Sequence, residues 1–285
     1  MSWFDCWWLA IRPRTLPLSA SPVILSAMLA YFQNGTFYFL PFLITLFSAL
    51  CIQIGTNLFN DVFDFEKGAD TKERLGPPRV VAQGYLSAKS VKTMAFFVFF
   101  LALLGGIYLI FWAGFPIFLI GIASLFSGWA YTGGKYPIAY HPFGEVFVLV
   151  FFGIVAVCGG FYVQSFLFSW EVFFLSCLTG LLAASVMTIN NYRDFNEDKK
   201  NNKNTLAVCL GKQKIKWIFA LEVLLPFLML PFLQCYLPFL CLPFAIWAIQ
   251  RFFTESAHAL NALLAFCARL QFVFSILLGC CFLSF

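Results

Sequence analysis

The stretch YFLPFLITLFSALCIQIGTNLFN, residues 38–60, is followed directly by Asp61-Val-Phe-Asp64. It contains no charged residue and, at 1.5 Å per helical residue, it is long enough to cross a hydrocarbon core of about 30 Å. Carboxylates beside such a segment are costly and usually mark a site for an ion, a proton or a substrate. Residues 38–64 therefore predict a transmembrane helix that carries a functional acidic motif at its carboxyl end.

The rest of the chain has the same apolar character. Hydrophobic residues make up 61% of the 285 residues and charged residues 11%, which would leave a water-soluble domain with too much exposed apolar surface. Short polar segments separate about nine apolar windows of spanning length, so we predict one integral all-α domain over residues 1–285, a polytopic helical bundle. The predicted spans are 16–33, 38–60, 91–112, 115–132, 144–163, 170–190, 214–234, 236–253 and 267–284.

The basic residues give this helix count an independent test. All 18 Lys and Arg residues fall on one side of the membrane under the predicted topology, and cytoplasmic loops are the ones that carry an excess of Lys and Arg. We therefore expect the amino terminus in the cytoplasm, the carboxyl terminus outside, and the acidic motif at the cytosolic face.

A second acidic motif, Asn190-Asn191-Tyr-Arg193-Asp194-Phe-Asn-Glu197-Asp198, follows the sixth predicted span. Helical spacing puts the acidic and amide side chains of each motif on one face. A helix carboxyl end already carries partial negative charge, so carboxylates stacked there call for a cation. Oxygen ligands and room for phosphate favour Mg²⁺. The predicted metal ligands are Asn57, Asp61, Asp64, Asn190, Asp194 and Asp198.

Basic residues surround these carboxylates, which a site for a bare cation would not need. They suit an anion bridged by the metal, and the apolar chain behind them suits a lipid tail. The pattern predicts a binder of a lipid diphosphate, the alternative being acidic and basic residues simply interleaved in solvated loops. The predicted substrate-binding residues, besides Asn57 and Asn190, are Lys67, Arg74, Arg79, Tyr131, Lys135, Arg193 and Lys199.

At these motifs the chain resembles the UbiA superfamily of intramembrane prenyltransferases. The form Asp61-x-x-Asp64-x-x-x-Gly68-x-Asp70, followed by Arg74-Leu-Gly76-Pro77-x-Arg79, is similar to the branch that prenylates 1,4-dihydroxy-2-naphthoate. Many members place a further Asp where this chain has Gly68, so Asp70 is either an added ligand or a partner of Arg74 or Arg79. Further matches are residues 12–17, 131–145, 190–198 and 205–211.

The resemblance implies helices around a central cavity in the cytoplasmic (inner) membrane, with Mg²⁺ holding a polyprenyl diphosphate at the cytosolic mouth. The metal would neutralise the leaving pyrophosphate, and the electron-rich naphthoate ring would attack the allylic carbon with loss of CO2. Asp61, Asp64, Asp194, Asp198 and Glu145 are the predicted catalytic residues. Lipid is the expected surrounding, and we expect no nucleic-acid partner.

Alternatives remain open for single residues and for the acceptor. Glu145 either orients the ring hydroxyls or takes up a ring proton, or it forms an ion pair with Lys135. Glu222, deep in the seventh span, is either protonated and hydrogen-bonded or part of a cavity wall. The acceptor is dihydroxynaphthoate or, with the same chemistry, 4-hydroxybenzoate, homogentisate or another dihydroxynaphthoate. A membrane transporter is the alternative from another class.

Overall fold

The computed structural model describes residues 2–70, 75–255 and 258–283, and within them the chain forms helices and turns with no strand. Among these residues, seven helices are long and apolar enough to cross a membrane, and a bent pair counted as one span makes an eighth. A further apolar helix, Phe115–Ala130, is shorter. The predicted all-α membrane bundle is confirmed, and the predicted count of nine corresponds to these helices.

The helices follow the predicted spans closely. The bent pair consists of α1 (Trp3–Ile11) and α2 (Pro17–Asn34), joined by a short turn at Pro13–Thr15. The remaining helices are α3 (Phe39–Glu66), α4 (Ala88–Ala113), α5 (Phe115–Ala130), α6 (Gly144–Ser165), α7 (Trp170–Arg193), α8 (Phe195–Lys200), α9 (Leu206–Leu210), α10 (Lys212–Leu233), α11 (Leu237–Thr254) and α12 (Leu260–Cys280).

Two predictions about the helices were wrong, one boundary and one shared helix face. The last helix begins at Leu260 and not at residue 267, so Arg269 lies within α12, where its Nε donates to the carbonyl of Ala265 at 3.2 Å. The second acidic motif does not lie on one continuous helix. Helix α7 ends at Arg193, Asp194 caps it with φ −88° and ψ 7°, and Asp198 lies on the separate short helix α8.

The described parts of the connections on one side of the bundle, residues 67–70, 75–87, 131–143 and 194–211, form what we call the motif end. They are tied to one another by side-chain to backbone bonds. Lys67 Nζ donates to the carbonyl of Thr132 at 2.6 Å, and Asn201 Nδ2 donates to the carbonyl of Ala69 at 2.9 Å. These bonds bring the ends of α3, α5 and α7 together over the middle of the bundle.

Helix α7 is the central element of the bundle, because 72% of its most apolar window is buried. It packs against α6, α10 and α12, while α2 packs against α6 and α12, and α3 against α4. Helix α6 contains a π-helical segment, Leu149–Val155, at its contact with α7. A Cβ on Gly153 would lie 2.6 Å from the Cα of Gly180, so the two backbones touch there without intervening side chains.

Candidate active site

Two adjoining spaces occupy the middle of the bundle. A cavity of about 510 Å³ runs between α2, α3, α4, α5, α6 and α7, and most of its lining is apolar. A small polar pocket of about 50 Å³ lies at the motif end. Four residues, Asn60, Arg79, Tyr131 and Asn190, line both spaces, so the pocket opens directly onto the cavity.

Carboxylates from both acidic motifs line the polar pocket. Asp64 comes from α3, whereas Asp194 and Asp198 come from the junction of α7 and α8. All three side chains are buried. The two motifs, 130 residues apart in the chain, therefore contribute negative charge to a single site.

Asp64 has three polar neighbours within the described residues. Its Oδ1 accepts hydrogen bonds from the hydroxyl of Tyr140 at 3.1 Å and from Lys203 Nζ at 3.2 Å. Its Oδ2 lies 3.7 Å from Arg79 Nη2. Burial, with the nearby Asp64 charge next, raises the pKa of Tyr140, so its hydroxyl stays a donor to this carboxylate.

Arg79 lies between the two spaces and is buried. Its Nε is 3.2 Å from Asp70 Oδ2, which is the pairing expected if Asp70 supports a neighbouring arginine. Its Nη1 makes no hydrogen bond to any described residue. A buried guanidinium N–H of this kind is suited to an anionic oxygen.

Asp61 and Asn57 lie on the same helix but do not line the polar pocket. The Oδ2 and Oδ1 atoms of Asp61 accept the backbone N–H groups of Val80 and Val81 at 3.2 and 3.1 Å. Asn57 lines the apolar cavity and donates from Nδ2 to the carbonyl of Ile11 at 3.0 Å. Asp61 therefore holds the segment that carries Arg79, and Asn57 holds the amino-terminal segment.

The remaining predicted residues lie at different depths. Asn190 lines both spaces, and Arg193 is buried against Asp194. Lys135 and Lys199 are exposed and line neither space. The ammonium of Lys67 lies over the ring of Tyr140. Partial burial is the main cause that lowers the pKa of Lys67. Arg74 lies outside the described residues.

Glu145 is buried beside the polar pocket rather than in its lining. Its Oε1 accepts from Asn191 Nδ2 at 2.8 Å, and its Oε2 has no hydrogen-bond partner among the described residues. Asn191 in turn lines the pocket. Glu222 lines neither space and accepts from the hydroxyl of Thr188 at 2.7 Å, which agrees with the hydrogen-bonded alternative.

Several pocket residues were not predicted as ligands. Asn60, Asn191 and Glu197 line the pocket. Each of them is adjacent in the sequence to a residue that was predicted as a ligand. Arg12 lines the apolar cavity from the α1–α2 junction, with its Nη2 3.5 Å from the carbonyl of Asn57. Its backbone is left-handed, with φ 57°, a conformation that the sequence does not reveal.

The carboxylate and amide oxygens that line the polar pocket are ligands that suit Mg²⁺. Arg79 and Lys203 line the same pocket and suit an anion that the metal would bind. Among the described residues, no three acidic, His or Cys side chains already stand close enough to form a metal cluster. Asp64 and Asp194 instead pair with basic side chains. These basic side chains neutralise the two carboxylates in the structure.

The model of the UbiA prenyltransferase family matches residues 19–279. The chain belongs to this family. The resemblance predicted from the motifs is thereby confirmed, and the protein is a multi-pass membrane protein of a prenyltransferase family.

Curated members of the UbiA family match about three quarters of the chain. The 1,4-dihydroxy-2-naphthoate octaprenyltransferase of Bacillus subtilis (strain 168) is 37% identical over 204 residues, which cover 72% of this chain and 65% of that protein. The enzyme of the same name from Escherichia coli (strain K12) is 38% identical over 214 residues, 73% of this chain and 69% of that protein.

A solved structure of a UbiA homolog from Archaeoglobus fulgidus, bound to DMAPP and Mg²⁺, has the same fold. The TM-score is 0.65 at 13% identity, and the match covers 95% of this chain and 97% of that chain. At this identity the match supports the architecture of the bundle and not the identity of any ligand of this chain.

Proposed function

We propose that the protein transfers a polyprenyl group from a polyprenyl diphosphate to 1,4-dihydroxy-2-naphthoate, with release of CO2 and pyrophosphate. The observation that carries the proposal is the junction of the two spaces at Asn60, Arg79, Tyr131 and Asn190. A charged headgroup suits the polar pocket and an isoprenoid tail suits the apolar cavity. A polyprenyl diphosphate joins these two chemistries end to end.

The headgroup would lie among Asp64, Asp194, Asp198, Arg79 and Lys203. Mg²⁺, when bound, would be held by the carboxylates and by the Asn190 oxygen and would neutralise the leaving diphosphate. Arg79 would donate its unpartnered Nη1–H to a phosphate oxygen, and Lys203 would turn from Asp64 to another. The homolog of the same fold from Archaeoglobus fulgidus has been solved with DMAPP and Mg²⁺, the same two kinds of ligand.

The reacting carbon would lie at the junction, just below the headgroup. There the allylic carbon–oxygen bond breaks and its electron pair leaves with the diphosphate. The ring of Tyr131 lies 5.7 Å from that of Phe147, which lies 4.5 Å from that of Phe151. Their π faces would stabilise positive charge on the allylic carbon, and the apolar lining would keep water from trapping it.

The acceptor ring would then form the new carbon–carbon bond and lose its carboxylate as CO2, the electron pair of the broken bond restoring aromaticity. Arg12 is the basic residue that lines the apolar cavity away from the polar pocket. We assign it to the carboxylate of the acceptor. The names of the Bacillus and Escherichia relatives support naphthoate as that acceptor.

The membrane and its sidedness are also part of the proposal. We place the protein in the cytoplasmic (inner) membrane with its amino terminus in the cytoplasm and its carboxyl terminus outside. The Lys and Arg residues collected at the motif end support this orientation. Both the diphosphate and the acceptor would then enter from the cytosol.

The test is an assay of the purified protein with Mg²⁺, a polyprenyl diphosphate and a panel of aromatic acceptors. We expect decarboxylated, prenylated product from 1,4-dihydroxy-2-naphthoate and none after chelation of the metal. Asp64→Asn should abolish most of the turnover. Glu66→Gln is the matched control, because Glu66 lies on the same helix but is exposed and, among the described residues, forms its ion pair with Lys92 at the surface.

If only 4-hydroxybenzoate or homogentisate gave product, the proposed acceptor would be wrong and the proposed prenyl transfer would still hold. Full turnover in the presence of chelator, or in Asp64→Asn, would contradict the metal–diphosphate site itself.

A further inference from the structure

Two cysteines lie at the end of the bundle opposite the motif end. Helix α10 begins directly after the motif end and runs to Leu233, and Cys235 lies in the turn that follows. Helix α12 runs in the same direction, since Asn261 near its start contacts Arg193, and Cys281 follows its last residue. Both cysteines therefore lie on the far side of the membrane-spanning segments from the acidic motifs.

The turn between α10 and α11 is tightly closed. Gln234 has a left-handed backbone, with φ 54°, and its N–H donates to the carbonyl of Pro231 at 3.2 Å. The N–H of Cys235 donates to the carbonyl of Leu230 at 3.1 Å. A left-handed conformation is uncommon for a residue other than glycine. The turn brings Cys235 back against the bundle, where the residue is only 2% exposed.

Helix α12 packs against this region. It contacts the first residues of α11, Leu237–Cys241. The ring of Phe274 on α12 lies 5.4 Å from that of Phe227 on α10. Cys281 packs against the buried hydrophobic cluster to which Cys235 belongs. Buried side chains thus hold the two cysteine-bearing segments together whatever the state of the thiols.

The two thiols, which are free in the structure, are also in direct contact. The Cys235 thiol donates a hydrogen bond to the sulfur of Cys281, and the backbone N–H groups of Tyr236 and Leu237 donate to the same sulfur. The Cys281 thiol itself lies 3.5 Å from the carbonyl of Leu277. The bond from Cys235 is the main cause that lowers the pKa of Cys281, which favours its thiolate.

The compartment decides what such a pair of thiols becomes. In the proposed orientation the motif end is cytoplasmic, so Cys235 and Cys281 face the extracytoplasmic side. Disulfides form and persist in oxidising compartments outside the cytoplasm and are rare within it.

We propose that Cys235 and Cys281 form a disulfide bond that joins the turn between α10 and α11 to the carboxyl end of α12. This disulfide is independent of the proposed reaction and rests on the orientation given under the proposed function.

The bond would form by exchange with a disulfide-bearing oxidant of that compartment. The Cys281 thiolate attacks one sulfur of the oxidant, whose S–S bond breaks as a mixed disulfide forms. Cys281 reacts first because it is half-buried, whereas Cys235 is buried. Cys235 then loses its proton and attacks the Cys281 sulfur, and the second sulfur of the oxidant leaves. Two electrons and two protons pass from the cysteines to the oxidant, which becomes a dithiol.

The bond would hold α11 and α12 in the bundle. Helix α11 has 18 residues, and 28% of its most apolar window is buried, compared with 72% for α7. An element with few buried contacts opens more readily than a central one. A bond at the outer ends of α10 and α12 would therefore stabilise the carboxyl-terminal helices without taking part in the reaction.

The test uses the full-length protein in the membrane of a bacterium whose outer compartment forms disulfides. Membranes are dissolved in denaturant with N-ethylmaleimide, so that buried free thiols are blocked too, and the protein is digested without reductant for mass spectrometry. We expect a cross-linked peptide pair that contains Cys235 and Cys281 and separates on reduction. Reduction should also lower the melting temperature of the purified protein by roughly 5–15 °C.

Cys235→Ser and Cys281→Ser should each abolish the cross-link and the response of the melting temperature to reduction. Cys280→Ser is the matched control. Cys280 is adjacent to Cys281, but consecutive helical residues point in different directions. Cys280→Ser should therefore keep both the cross-link and the response, and so should Cys241→Ser, which removes a buried thiol near the same turn.

N-ethylmaleimide on both Cys235 and Cys281 of the wild type, or a cross-link through Cys280, would overturn the proposal. A membrane-impermeant maleimide, applied to Cys235→Ser, then locates the cause. Labelling of Cys281 from outside the cell would leave the orientation intact and make the disulfide alone wrong. Labelling from the cytoplasmic side would contradict the orientation and the disulfide together. A failure of prenyl transfer would contradict the proposed reaction and leave the cross-link unaffected.

Discussion

Arg193 binds the carboxylate of Asp194 with two hydrogen bonds, Nε to Oδ1 at 2.7 Å and Nη2 to Oδ2 at 2.6 Å. The same guanidinium donates to the side-chain oxygens of Asn190 at 2.8 Å and Asn261 at 2.9 Å. One buried cation thus organises the second acidic motif and ties it to α12. The bidentate geometry needs the planar fork of arginine.

Arg193→Ala should lower the free energy of unfolding by about 3–5 kcal/mol, because removing one partner of a buried pair leaves an uncompensated charge. Thermal unfolding in detergent, followed by tryptophan fluorescence, measures this. Lys92→Ala is the control, since it removes a surface pair with Glu66 and a contact with the ring of Phe63, and surface pairs contribute about 0–1 kcal/mol. Equal losses in both variants would contradict the assignment.

Asp61→Asn should reduce stability by about 1–3 kcal/mol, because an amide accepts only one of the two backbone N–H groups of Val80 and Val81 and leaves the other unsatisfied. Asp64→Asn should instead raise the Mg²⁺ concentration needed for half-maximal turnover. Melting curves and metal titrations of both variants separate the two roles. A metal requirement that changes equally in both variants would place Asp61 in the metal site as well.

Tyr140→Phe removes the hydroxyl donor to Asp64 and should cost about 1.5 kcal/mol of stability, as for a hydrogen bond to a charged group. The folded-state pKa of Tyr140 is raised, so its contribution is fully present below the ordinary tyrosine pKa and is lost only as the pH rises through the raised value. The difference between wild type and variant should therefore be the same at pH 7 and pH 9. A difference that disappears by pH 9 would refute this.

Gly153→Ala should destabilise the bundle strongly, because the new Cβ would lie 2.6 Å from the Cα of Gly180 and from the carbonyl of Ser176. Backbone atoms cannot move aside locally, and overpacking typically costs about 1–3 kcal/mol. Gly106→Ala, which meets open space, should be neutral or slightly stabilising. Melting temperatures of the purified variants check the contrast.

Much of the fold could be predicted because a membrane-spanning helix is recognised in the sequence by its length and apolar composition. In lipid, an uncharged stretch such as 38–60 must form a helix, since its backbone N–H and C=O groups have to hydrogen-bond to one another. The predicted spans and the observed helices agree for the same reason. The start of the last helix was missed because Asn261 and Arg269 interrupt the apolar pattern without interrupting the helix.

Residues of both acidic motifs line one polar pocket, as their pattern indicated, but the role of each residue there stays a prediction. The spacing of Asn57, Asp61 and Asp64 placed them on one helix face, yet it could not show that Asp61 faces the backbone of residues 80 and 81. That contact depends on the path of a loop. The break after Arg193 was missed because no glycine or proline marks it, and Asp194 ends the helix by its own cap conformation.

The central claim is that Asp64 and Asp198, one from each acidic motif, hold the same headgroup. A double-mutant cycle tests it most directly: the Kd of geranyl diphosphate, with Mg²⁺ in excess, is measured for the wild type, Asp64→Asn, Asp198→Asn and the double variant. We predict that the two substitutions are strongly coupled, so that the Kd of the double variant is little higher than that of the single variant with the higher Kd. Losses that add independently, within about 0.5 kcal/mol, would contradict a shared site.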